Sequence, residues 1–338
     1  MRLVQTLRPV VEAAAPSAAG YCARLPIGQV LRSAENTART ILGSKLGRPI
    51  QNEEIAVKSI MIMSNPWQIS RPRTRITNWE RGVLIGKGSF ASVYIGSDAD
   101  GPFAAKGVSL GEHNYLPHLK NEIDILEGLD HENIIQCYGT QKDGKMLYIF
   151  LELASHGTLE QAYKKRRFTE SQVSHYTRQI LQGLEYLHSC NVVHGDLNCA
   201  NILVTESGRI KLADFGLSKR MEDHSQYSLK HGQGSSYCMD PEDANRKRGG
   251  YGFPSDICSL GCTVLEMSTG KYPQCNDKEV ISVELAIRRG KIIVPRNLPR
   301  NLRDFINQCL HPDPNQRPTA AELLAHPFVK ESSFHADS

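Results

Sequence analysis

The chain has 338 residues, a formal net charge of +4 and nine cysteines. That length supports one large or two modest domains with a substantial core, and so small a charge gives no case for nucleic-acid binding. The cysteines form no C-x-x-C pair, which argues against a zinc site or disulfide framework and for a reducing compartment. No apolar run reaches the ~18 residues of a membrane span.

Residues 1–75 differ in character from the rest. The first fifty carry Arg2, Arg8, Arg24, Arg32, Arg39, Lys45 and Arg48 against only Glu12 and Glu35. Ile27, Val30, Leu31, Ala34, Ala38, Ile41 and Leu42 can line one side of a short amphipathic helix. One reading is an Arg-rich plastid or mitochondrial targeting peptide; the other is a poorly ordered regulatory extension of a cytoplasmic protein. Glu12 and the apolar stretch 60–63 fit a presequence poorly, which favours the extension. Arg71-Pro72-Arg73-Thr74-Arg75 reads as a linker.

A compact domain is expected to begin at Trp79. Residues 83–96 read as strand, glycine turn and strand, with Gly86 and Gly88 in the turn and Ala91 where a third glycine would fall. Alone this is an ordinary hairpin. Phe103-Ala104-Ala105-Lys106 then supplies a short apolar strand ending in lysine, and residues 118–129 a helix in which Glu122 precedes Ile123, Leu126 and Leu129. Residues 134–140 and 146–151 are further strand candidates, the second running into Glu152-Leu153-Ala154-Ser155-His156-Gly157. Thr169 opens a long helix whose Val173, Tyr176, Ile180, Leu181, Leu184 and Leu187 recur at helical spacing and belong to the core. His175 and His188 on that helix read as structural histidines.

The helix delivers the chain to His194-Gly195-Asp196-Leu197-Asn198-Cys199-Ala200-Asn201, and a short strand near 209–213 precedes Asp214-Phe215-Gly216. Asp196, Asn201 and Asp214 are the groups a phosphoryl-transfer site needs. One acid orients a hydroxyl nucleophile, while an amide and a second acid hold Mg²⁺ against ATP phosphates. Residues 214–242 form a polar segment holding Ser225, Tyr227, Ser228, Ser235 and Ser236. Residues 255–267 form an apolar helix with one buried acid, Asp256, whose alternative reading is an exposed acid favoured by the helix dipole. Cys258 and Cys262 lie in that helix as small buried hydrophobes. Thr319 caps a final helix, and residues 326–329 close the domain.

In this order and these contexts the motifs resemble the eukaryotic protein kinase catalytic domain. Leu147-Tyr148-Ile149-Phe150-Leu151-Glu152-Leu153, Cys199-Ala200-Asn201-Ile202-Leu203-Val204 and Ser259-Leu260-Gly261-Cys262-Thr263-Val264-Leu265-Glu266-Met267 look most like plant mitogen-activated protein kinase kinase kinases of the MEKK type. The resemblance implies an α+β, two-lobed fold, with a small antiparallel-sheet lobe at 79–151, a mainly helical lobe at 155–329 and a tail at 330–338. It implies an ATP site drawn from Ile85, Gly86, Lys87, Gly88, Ser89, Phe90, Ala91, Val93, Ala104, Lys106, Glu152, Ala154 and Leu203. Lys106 would reach the α- and β-phosphates and pair with Glu122, with Asp196 as catalytic acid and Asn201 and Asp214 as Mg²⁺ ligands. Residues 214–242 become an activation segment, with Ser235 contacting the catalytic acid. Asp256 would hold the catalytic-loop backbone, and Glu242 would pair with Arg317. The expected activity is serine/threonine phosphorylation of a protein, and the implied partner is a mitogen-activated protein kinase kinase.

Two positions depart from the pattern inside the loop itself. The family has Arg where Gly195 stands, and that Arg pairs with a phosphate on the activation segment. It usually has Lys where Asn198 stands, a cation beside the transferring phosphate. Losing one such preorganised group costs on the order of 10²–10³ in rate. Asp240 also stands where alanine is usual. The alternative to a slow enzyme is a degenerate kinase that holds nucleotide and scaffolds its partners.

Overall fold

The computed structural model describes residues 76–88, 91–111, 116–221, 252–274 and 283–330. Residues 1–75, Ser89, Phe90, and the candidates Ser225, Tyr227, Ser228, Ser235, Ser236, Asp240 and Glu242 lie outside them. The described chain divides into two compact units. One contains the strands up to residue 115 together with 137–153; the other contains 116–136 and everything from Ala154 onward.

The first unit is an antiparallel sheet of five strands, β1 (Glu80–Lys87), β2 (Ala91–Asp98), β3 (Gly101–Ser109), β4 (Cys137–Asp143) and β5 (Met146–Leu151), in the order β1-β2-β3-β5-β4. Asp98 and Gly101 close the β2–β3 turn, where Gly101 sits at φ 116° and the Asp98 carboxylate accepts the Asp100 amide at 3.0 Å. One sheet face buries Phe103, Ala105, Tyr148 and Phe150 with Ile76, and Trp79 packs on them. Its ring lies 5.0 Å from Tyr148 and 5.2 Å from Phe150, both edge-on, the geometry that places a positive ring edge on a negative face. Ile76, three residues before Trp79, is already part of this core. Residue 134 was expected to open a strand, but β4 begins only at Cys137. Ile134 instead forms an isolated parallel bridge to Leu212 in the second unit.

The second unit holds α1 (Leu116–Leu126), α2 (Leu159–Lys165), α3 (Glu170–Ser189), α4 (Phe253–Thr269), α5 (Val283–Arg288), α6 (Arg300–Cys309), α7 (Ala320–Leu324) and α8 (Pro327–Lys330), with the small pairs β6 (Val192–Val193) to β9 (Lys219–Arg220) and β7 (Ile202–Val204) to β8 (Ile210–Leu212). Helix α1 ends at Leu126 rather than 129. Thr169 caps α3 through a reciprocal box with Gln172, so one hydroxyl and one amide satisfy two of the amides a helix start leaves unbonded. Thr319 builds the same box with Glu322 at α7, which is followed by the short α8 rather than being the last helix. Val173, Ile180, Leu181, Leu184 and Leu187 of α3 are buried as their spacing requires, with Tyr176 partly so. Helix α4 is buried along nearly its whole length. At Gly261 an added Cβ would lie 2.7 Å from the Cys309 Cβ, so α4 and α6 touch through that glycine. Among the described residues no helix is long and apolar enough to cross a membrane.

Candidate active site

Strand pairing in the first unit puts Gly86 opposite Val93, Val93 opposite Lys106, and Lys106 opposite Ile149. Directly opposed residues share a sheet face, as do residues two apart on one strand. Gly86, Val93, Lys106 and Ala104 therefore stand together on one side of the sheet. Ile85 and Lys87 alternate with Gly86 along β1, and the Gly88 amide donates to the Ala91 carbonyl at 2.8 Å, closing the glycine turn. Glu152 follows β5 directly.

In the second unit the segment at Ala154 runs beside β7. The His156 amide donates to the Val204 carbonyl, the Val204 amide to the Gly157 carbonyl, and Thr158 bridges to Leu203. Gly157, at φ 77°, makes the turn that this pairing needs. Glu122 is buried on α1, and its neighbour Asn121 donates to the Ser218 carbonyl at 2.7 Å. That bond ties the helix to the loop following Asp214-Phe215-Gly216.

The β7–β8 hairpin brings the three phosphoryl-transfer candidates to one end. Asn201 precedes β7 and Asp214 follows β8, with the Ala213 amide donating to the Asn201 carbonyl at 2.9 Å. The Asn201 Nδ2 donates to the Asp196 carbonyl and to its Oδ2, each at 2.8 Å. Because both bonds use Nδ2, the Oδ1 of Asn201 is left for another partner. That oxygen and the Asp214 carboxylate are hard donors of the kind Mg²⁺ takes, usually with waters and substrate phosphates completing the shell, so the residues fit the ion the fold implies. Asp214 sits at φ 62°, a left-handed conformation that costs a non-glycine residue roughly 1–3 kcal/mol and persists where its surroundings impose it. Phe215, wholly buried against the His194 ring at 5.0 Å, is part of those surroundings.

The loop that carries Asp196 is held from below by α4. Asp256, 1% exposed, accepts the His194 amide and the His188 Nε2–H on Oδ2, each at 2.9 Å, and the Gly195 amide on Oδ1 at 3.0 Å. Burial works to raise this carboxyl, but the His188 hydrogen bond and charge, with His194 and the Gly195 amide, hold it below its ordinary value. The reading of Asp256 as an exposed helix-dipole acid is therefore excluded. His188 is structural, as expected, and completes the clamp. The His194 side chain donates from Nε2 to the Ala213 carbonyl at 3.2 Å and accepts the Asp196 amide on Nδ1 at 3.3 Å, and the Ser218 hydroxyl donates to the His194 carbonyl at 2.7 Å.

Three features escaped the sequence reading. Asn198, treated as a missing cation, is a polar brace inside the loop. Its Nδ2 donates to the Asp196 carbonyl at 3.0 Å and to Asp196 Oδ1 at 3.2 Å, and its Oδ1 accepts the Ala200 amide at 2.9 Å and the Asn201 amide at 3.2 Å. Helix α4 has two buried acids rather than one. Glu266, 1% exposed, accepts the Tyr163 hydroxyl of α2 and a hydrogen bond from the Cys199 thiol of the loop. The only signal for it was an acid set between Leu265 and Met267 in an apolar run. Lastly, Cys199 is a junction: its carbonyl accepts the Glu160 amide of α2 and its thiol reaches the Thr263 carbonyl at 3.8 Å. Arg317 donates from Nη1 to the Pro254 carbonyl at 3.0 Å and from Nε to the His311 carbonyl at 2.9 Å.

An antiparallel sheet with a lysine in its third strand, and a helical unit in which an acid and an amide five residues apart meet a second acid after a hairpin, define a protein kinase domain. The family model for the protein kinase domain matches residues 79–329, and the chain belongs to that family. It is 49% identical over 263 residues to mitogen-activated protein kinase kinase kinase 1 of Arabidopsis thaliana, covering 75% of this chain and 43% of that protein. Mitogen-activated protein kinase kinase kinase 3 of Arabidopsis thaliana is 47% identical over 262 residues, covering 75% and 46%. Mitogen-activated protein kinase kinase kinase 1b of Physcomitrium patens is 45% identical over 258 residues, covering 74% and 33%. The matched region spans less than half the length of each of these relatives.

Proposed function

We infer that this chain is a serine/threonine kinase that phosphorylates a mitogen-activated protein kinase kinase. The observation that carries the reading is the Asp196–Asn201–Asp214 cluster at one end of the β7–β8 hairpin, with its loop clamped to α4 by Asp256. Asp196, oriented by Asn201 and Asn198, takes the proton of the substrate hydroxyl as that oxygen bonds to the γ-phosphorus of ATP and the bond from that phosphorus to the β–γ bridging oxygen breaks, releasing ADP. Asn201 and Asp214 would hold Mg²⁺, which would supply positive charge against the phosphate oxygens. Lys106 would position the α- and β-phosphates. The names and the 45–49% identity of the relatives support the substrate class.

The test is transfer of labelled phosphate from ATP–Mg²⁺ to a plant mitogen-activated protein kinase kinase, with Asp196→Asn as control. Incorporation on serine or threonine at least tenfold above that control is expected. Nucleotide binding with no incorporation above control would support the scaffold instead. A cytoplasmic location belongs to the same reading, supported by cysteines that form no disulfide or zinc pattern. Import into plastids or mitochondria of a reporter fused to residues 1–75 would overturn it.

A further inference from the structure

We propose that Asn198 is a positioning residue that has exchanged the charge usual at its place for a brace, and that its work is to fix Asp196 and the 198–201 turn. The geometry uses both ends of one amide. Its NH₂ reaches the Asp196 carbonyl and Oδ1 at 3.0 and 3.2 Å, while its Oδ1 receives the Ala200 and Asn201 amides at 2.9 and 3.2 Å. Asn201 in turn reaches Asp196 Oδ2 at 2.8 Å. Each oxygen of the Asp196 carboxylate thus has its own amide donor, and the two donors are linked through Asn198 Oδ1. Asn198 is 8% exposed.

Lysine cannot replace this set. An ammonium group has three donors and no acceptor, so the Ala200 amide would lose the oxygen that binds it. An added cation stabilises the transferring phosphate only if the loop beneath it keeps its geometry, because a displacement of about 1 Å in such a site costs on the order of 10²-fold. The loop at residues 195–201 is therefore built around an amide, and its lack of a lysine is an exchange of roles within one side chain.

The test compares Asn198→Leu, Asn198→Asp and Asn198→Lys with the parent chain by steady-state kinetics and by amide hydrogen exchange at Ala200. Leucine keeps the volume and removes both ends. It is expected to lower kcat by about 10–100-fold with the KM for ATP within about threefold, and to speed exchange at Ala200 at least tenfold. Aspartate keeps the acceptor and should keep Ala200 protected, a check that the position tolerates replacement. Lysine should lose that protection and give a kcat at or below that of the parent. A kcat above the parent in the lysine variant, or unchanged kcat and Ala200 protection in the leucine variant, would overturn the proposal. The rate arm rests on the kinase reading. Absence of transfer above Asp196→Asn in the parent would remove that reading, and exchange at Ala200 would then decide the brace alone.

Discussion

His188 and Asp256 meet at 2.9 Å, and the oxygen that joins them is the one that also receives the His194 amide. A histidine on α3 and an acid on α4 are thereby fastened to the backbone two residues before Asp196. The arrangement is an acceptor surrounded by donors, with Gly195 supplying the third. It fixes the loop through main-chain atoms, so it does not depend on which side chains the loop carries.

Replacing Asp256 by alanine leaves the buried His194 amide and the half-buried Gly195 amide without that acceptor. At roughly 1–3 kcal/mol for each orphaned donor, the loss should be on the order of 3 kcal/mol in urea unfolding. The pH dependence has a definite sign. The folded-state carboxyl titrates below its unfolded value of about 4, so its contribution is full above that pH and is lost as pH falls through the depressed folded value. The alanine variant should show a shallower acid-induced loss of stability than the parent. Equal slopes below pH 4 would count against the clamp.

Gly195 occupies φ 77°, where an L side chain crowds its own backbone. Gly195→Ala or Gly195→Arg should therefore cost about 1–2 kcal/mol in unfolding free energy. Glycine here removes a side chain that could pair with a phosphate, and it also relieves this strain. Thermal unfolding of both variants checks the value; a melting temperature equal to the parent's would show that the loop relaxes.

Much of the fold and of the site was legible in the residues for physical reasons. The apolar spacing of Val173 to Leu187, the Thr169 and Thr319 caps and the β-rich run 146–151 are local signals, and the structure follows them. Asp196, Asn201 and Asp214 stood out by their order and spacing, and the β7–β8 hairpin brings them to one end. What was hidden depends on contacts between residues distant in sequence. Nothing near Glu266 shows that Tyr163 lies against it 103 positions away, and nothing near His188 shows its partner 68 positions away. Asn198 was only half legible, for a different cause. Comparing it with lysine counts a lost charge, whereas its gained acceptor appears only once the loop is folded. Ile134, an apolar residue assigned to a strand, gives its amide to the His131 carbonyl instead, while its neighbours Asn133 and Ile135 make the bridge to Leu212.

Burial pushes the Glu266 carboxyl up from its ordinary value, against the hydrogen bonds from Tyr163 and Cys199 that favour its charge. A folded-state carboxyl raised in this way binds its proton more tightly than the unfolded chain does. Stability from this group is then greatest below the unfolded value of about 4.5 and declines as pH rises through the raised folded value. Glu266→Gln keeps an oxygen for the Tyr163 hydroxyl and removes the titration. Melting temperatures of parent and variant should converge near pH 4, with the variant gaining relative to the parent toward pH 8. A variant that loses ground as pH rises would show that the charged form is the one the fold prefers.

Nucleotide should stabilise the chain, and the part of that effect that needs Mg²⁺ should run through Asn201 and Asp214. A ligand bound only by the folded state adds about 2.7 kcal/mol at a hundred times its Kd, enough for a shift of several degrees in a domain of this size. The parent is expected to melt higher with ATP and Mg²⁺ than with ATP and EDTA. Asp214→Asn removes one hard anionic ligand, and Asn201→Leu removes the oxygen that Nδ2 leaves available; each should reduce the difference between those two conditions. Asn201→Leu also takes a donor from Asp196 Oδ2, so its kcat should fall further than its loss of Mg²⁺ dependence alone would give. Lys106→Met should instead lower the ATP shift in both conditions, because the proposed role of Lys106 is toward the phosphates and not the metal. A Mg²⁺-dependent shift that survives in both Asp214→Asn and Asn201→Leu would move the metal away from the end of the β7–β8 hairpin.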